Sequence, residues 1–84
     1  MMAKIHEVKL HAKYRGKSID LVLEGKKRAE FRKNDRNYEY GDTLILHEWV
    51  QDVYTGRKVE ARITDVTDLS DWLEDYVLLS IQVC

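Results

Sequence analysis

Three residues that follow one another closely, Lys27, Glu30 and Arg32, are the best equipped in this sequence for chemistry. Lysine brings a flexible point cation, and arginine a planar fork of five donors suited to phosphate or to a base edge. A glutamate between them holds that fork or accepts from an exocyclic amine such as cytosine N4. On a strand, residues 30 and 32 project to the same side, so the set forms a polar floor if that side lines a cleft. On an open face the same residues make only a solvated ion pair, worth about 0–1 kcal/mol. Lys26, Arg28, Lys33 and Arg36 surround the set, with the chemistry of phosphate contacts that position a nucleic acid without reading it.

The other chemically able residues give less. Trp49 and Trp72 have the rings to stack on a base, at about 1–3 kcal/mol per stack, but both also suit core packing. Tyr38 and Tyr40 flank a turn. His6, His11 and His47 show no ligand spacing, so no metal is expected. Asp68, Asp71, Glu74 and Asp75 lack the order of a calcium loop. Cys84 has no partner for a disulfide. No glycine-rich phosphate loop or nucleophile triad is present, and no cofactor is implied.

The elements that must position these residues can be read from periodicity. Residues 5–11 alternate as a first strand, with His6, Val8 and Leu10 on one side. Residues 16–24 carry Ser18, Ile19, Val22 and Leu23 at helical spacing, and Gly25 stands where a left-handed residue ends a helix. Residues 28–33 alternate as a half-buried strand, Ala29 and Phe31 opposite Arg28, Glu30 and Arg32. Asn34 to Asn37 and Gly41-Asp42 are turn chemistry. Residues 43–50 form a central strand, Tyr54 to Arg57 a hairpin turn around Gly56, and residues 58–67 a further strand. Leu69, Trp72, Leu73 and Tyr76 space as one helical turn packed on the body, Asp71 and Glu74 as its capping pair. Residues 76–83 are the last strand. Short connections make the strands mostly antiparallel, and five of them without proline predict a closed or nearly closed small α+β barrel with one main helix.

A chain of 84 residues supports one domain, 1–84, and one core. The formal net charge of −1 conceals a polarity. Residues 9–36 hold ten Lys/Arg against four acids, a net of +6, whereas residues 37–84 hold three against ten, a net of −7. That asymmetry fits an anionic partner for the basic part or charges interleaved on a barrel surface. A lone cysteine, no secretory leader and no apolar run of about 18 residues predict a cytoplasmic protein without a membrane partner.

Residues 25–32, Gly-Lys-Lys-Arg-Ala-Glu-Phe-Arg, fit the pattern G-x-K-x-x-E-x-R, which resembles the signature of the ASCH (activating signal cointegrator homology) domain of the PUA-like superfamily. Gly41-Asp42-Thr43-Leu44-Ile45-Leu46 is similar to that family's Gly-Asp turn and third strand, and the resemblance runs over residues 6–82, as in the short phage and bacterial forms. It implies a PUA-like β-barrel with a cleft beside the helix, and RNA binding. Some members remove an acyl group from a modified cytidine with a Lys, a Thr and a Glu. Lys27 matches their lysine, but Glu30 stands where they place the threonine, so the hydroxyl is missing there.

The first expectation is therefore an RNA- or nucleotide-binding module using Lys26, Lys27, Glu30, Arg32, Lys33, Arg36 and Trp49. The alternative is an amidohydrolase acting on an N4-acylated cytidine-type nucleoside, with Lys27 and Glu30 assisting a water. A third is a protein-interaction domain, in which the acidic half would matter more.

Overall fold

The computed structural model describes residues 3–12 and 17–84. The elements are β1 (Ile5–His11), α1 (Lys17–Leu23), β2 (Ala29–Lys33), β3 (Thr43–Val50), β4 (Val53–Asp68) and β5 (Tyr76–Val83). The strands form one sheet in the order β1-β3-β4-β5-β2. Only β1 and β3 run parallel; every other neighbouring pair is antiparallel.

This sheet curls into a half-barrel, a small α+β barrel-like fold that is left open where a closed or nearly closed barrel was expected. β1 and β2 are its two edges and make no ladder with each other. A side chain spans the seam instead: Arg32 on β2 donates from Nη1 to the carbonyl of Lys9 on β1 at 2.9 Å.

The core follows from strand alternation. Val8 and Leu10, Leu44 and Leu46, Val59, Ala61 and Ile63, and Val77, Leu79 and Ile81 all turn inward and are at most 4 % exposed. From α1, Ile19 and Val22 fall three residues apart on one face and bury against this interior. Burial of each such side chain contributes about 1.5–3 kcal/mol, which offsets the marginal stability of so short a helix.

A second buried network closes the end of the core near Gly41. Asp42, 1 % exposed, accepts from the backbone N–H groups of Lys4 and Glu39 and contacts His6 Nε2 at 2.8 Å. Burial would raise the Asp42 pKa, but these bonds outweigh it and hold the carboxyl below its usual range. Tyr38 packs edge-on to His6, with ring centroids 4.8 Å apart.

Two local expectations are corrected. The β3–β4 hairpin turns at Gln51-Asp52, not at Tyr54–Arg57. Both turn residues have positive φ (49° and 65°), and Val50 pairs Val53 across them. Two left-handed residues in succession match the twist of the flanking strands. Gly56, φ +89°, instead serves an irregularity inside β4, where the register slips between His47 and Trp49. There Thr55 Oγ1 donates to the fully buried Glu48 at 2.6 Å.

Residues 69–75 make a loop of tight turns in which the Trp72 and Leu73 N–H groups both donate to Leu69 O, as in a single helical turn, but this turn is not packed on the body. Trp72 is 80 % exposed. Asp68 rather than Asp71 does the capping: it accepts from the Ser70 N–H and hydroxyl, and these bonds lower its pKa.

Candidate functional site: a polar cleft at the seam

The end of α1 sets the site. Gly25 takes φ +73°, donating its N–H to Val22 O, while Lys26 N–H reaches back to Leu21 O. This six-residue reversal satisfies the last helical carbonyls and needs a left-handed residue at position 25. It delivers Lys27 to the start of β2. The Lys27 ammonium donates to the Ala29 carbonyl at 2.7 Å and meets Glu30 Oε1 at 3.0 Å.

β2 then presents its polar side to the interior. Glu30 is 6 % exposed, whereas Phe31 is 56 % exposed and Ala29 also faces out. The alternation of residues 28–33 was legible, and the inward face is the charged one. Arg32 Nη1 lies 3.0 Å from Glu30 Oε2, so the buried carboxylate sits between two cations, one on each oxygen. A buried carboxylate is tolerable only when paired and hydrogen-bonded in this way.

These groups floor a cleft of about 400 Å³ along the seam between the edges of β1 and β2. Lys9, Leu10 and His11 line it from β1. Lys27, Glu30, Phe31, Arg32 and Lys33 line it from the other side, and Asp35 and Arg36 from the following turn. Five cations against two carboxylates make it positive. Tyr38 lies beside this floor. Burial raises the pKa of its phenol, and the nearby Arg32 charge offsets part of that rise. Its hydroxyl is buried outside hydrogen-bond geometry with any described group.

Of the residues expected from the sequence, the structure brings Lys27, Glu30, Arg32, Lys33 and Arg36 together. It does not bring Lys26 or Trp49. Lys26 turns away to pair with Glu24 at 3.2 Å, because consecutive residues after the helix leave in different directions. Trp49 packs edge-on to Tyr54 at 4.6 Å, with the Lys9 ammonium 3.9 Å from its ring centre, and it does not line the cleft. Sequence reasoning missed Phe31, grouped there with the apolar side of the strand. It stacks on Tyr76 at 5.0 Å with 17° between the ring planes and lines the cleft. The available signal was a polar-apolar alternation whose polar positions held the signature residues.

Among the described residues, no group of three or more His, Cys, Asp or Glu comes together in a way that could hold a metal ion. No helix among them is long and apolar enough to cross a membrane.

Residues 5–81 match the model of a family described as a domain of unknown function, DUF3850. The chain belongs to the DUF3850 family. The matched span includes β1, α1, the cleft residues and most of β5. A protein of Escherichia phage P2 described as an "uncharacterized 12.9 kDa protein in GpA 3' region" is 89 % identical to this DUF3850 chain over 79 residues, covering 94 % of the chain and 69 % of that protein. The phage character expected from the sequence is met in that relative.

Proposed function

We propose that this DUF3850 chain binds RNA or a nucleotide in the seam cleft. The observation that carries the reading is the pair of cations clamped on the buried Glu30 carboxylate at 3.0 Å each. Such a floor is built before any ligand arrives, and the arginine spends Nη1 on Glu30 and Lys9 while its planar fork carries further N–H donors. Lys33 and Arg36 at the rim supply phosphate contacts, and the exposed ring of Phe31 offers a face or edge to a base. The cleft volume lies near the low end of small-molecule sites, about 300–1,000 Å³, which suits one nucleotide. The G-x-K-x-x-E-x-R run and its resemblance to ASCH domains support the same reading.

The hydrolase alternative is less favoured. Lys27 is held by Glu30 and by Ala29 O through two of its three ammonium donors, and Glu30 is tied on both oxygens. Neither is poised to activate a water, and the threonine of the hydrolytic pattern is replaced by Glu30 itself.

The test is fluorescence anisotropy of labelled single-stranded RNA at low and moderate salt. Binding is expected to weaken with salt, because each phosphate contact releases counterions. It is also expected to fall with Lys33→Glu and Arg36→Glu, which leave the buried clamp intact. Absence of binding at low salt, or indifference to both substitutions, refutes the proposal.

A further inference from the structure

The cleft is not an isolated hollow. Lys27 also lines a second one, of about 520 Å³, with Gly25, Arg28, Thr64, Gln82 and Val83 among its walls. Gln82 and Val83 in turn border a third, of about 210 Å³, beside Arg62. Arg62 and Gln82 are direct cross-strand partners on β4 and β5, and both are exposed. The three hollows therefore share walls in sequence: the cleft meets the second at Lys27, and the second meets the third at Gln82.

Charge follows the same path. Among the described residues, no acidic side chain lines the second or third hollow, while Lys27, Arg28 and Arg62 do. Other acids gather away from it: a separate hollow beside Asn34 is lined by Asp68 and Asp75, with no Lys or Arg among its described lining residues. The basic residues thus form a track with base-sized recesses on either side of a lysine. A cationic groove with successive recesses is the arrangement that follows a single-stranded backbone, and splayed bases, not paired ones, fill such recesses.

We propose that the ligand is a single-stranded polynucleotide of at least two nucleotides. The first nucleotide occupies the seam cleft, the phosphodiester crosses at Lys27, and the next nucleotide lies in the hollow between Arg28 and Gln82. This rests on the reading of the cleft as a nucleotide site and extends it to a length and a direction across the sheet.

The experiment compares uridine monophosphate with oligouridylates of two, three and six residues by competition against a labelled hexamer, using the full chain. Affinity is expected to rise about tenfold or more from one nucleotide to three and then to flatten. Gln82→Glu and Arg62→Glu, both at exposed positions outside the cleft, are expected to weaken the trimer about tenfold and to leave the monophosphate within twofold. Equal affinity for monomer and trimer overturns the track and spares the cleft. So does equal loss of monomer and trimer in the two variants, or equal competition by a duplex RNA. Failure of every probe to compete, the monophosphate included, overturns the cleft reading and the track together.

Discussion

Replacing Arg32 with methionine removes two interactions at once: the 3.0 Å pair with Glu30 Oε2 and the 2.9 Å bond to Lys9 O across the seam. Breaking a buried ion pair by deleting one partner costs about 3–5 kcal/mol, because the other charge is left uncompensated. Here Lys27 still faces Glu30 Oε1 at 3.0 Å, and the Arg32 side chain is 19 % exposed. The cost therefore drops to about 2–4 kcal/mol, including roughly 1 kcal/mol for the lost seam bond. A domain of this length has about 4–13 kcal/mol in total, so the melting temperature should fall by roughly 10–25 °C. Urea denaturation of wild type, Arg32→Met, Glu30→Gln and the double variant measures it as a cycle. The double variant should be more stable than Arg32→Met alone, because the orphaned carboxylate is gone. A loss below about 1 kcal/mol for Arg32→Met, or a double variant whose cost is the sum of the singles, would show a solvent-screened pair and refute a dry, preorganised floor.

Three further outcomes follow from the same structure. Tyr38→Phe should be neutral or slightly stabilising in urea denaturation, since a buried hydroxyl that meets no hydrogen-bond geometry among the described residues costs about 1–3 kcal/mol to keep. Asp42 has a folded-state pKa below its usual 3.8. Its contribution is thus complete above that value and is lost as pH falls through the folded pKa, so acid denaturation below about pH 4 should be shallower in Asp42→Asn than in wild type. Phe31→Ala should cost at most about 1 kcal/mol of stability, as an exposed aromatic contact, yet weaken RNA binding by about 1–3 kcal/mol, measured by anisotropy.

Much of the fold was legible because it rests on local periodicity. The alternation of residues 5–11 and 43–50 and the Gly25 stop mark elements whose bounds the structure reproduces within about a residue. The misplaced hairpin turn shows where that logic ends. Gly56 is the residue a turn rule selects, but the twist of β3 and β4 and the slip opposite Glu48 used it inside a strand and left Gln51-Asp52 to make the reversal. Trp72 fails for a related reason: helical spacing at residues 69–76 says which residues align, not whether a surface waits to receive them. The cleft was half legible. Sequence spacing brought Lys27, Glu30 and Arg32 together, since a helix stop and a strand alternation suffice for that. It did not show that β1 would face them, that Arg32 would hold the seam, or that Lys26 and Trp49 would turn elsewhere, because those depend on how the two edges of a curled sheet approach.

Amide chemical shifts of isotope-labelled protein, followed while a pyrimidine monophosphate is added, probe the cleft most directly. Saturable shifts confined to residues 9–11 and 27–36 are expected. Unchanged spectra at millimolar ligand, or shifts centred on the acidic loop at 68–75, would contradict a nucleotide site at the seam.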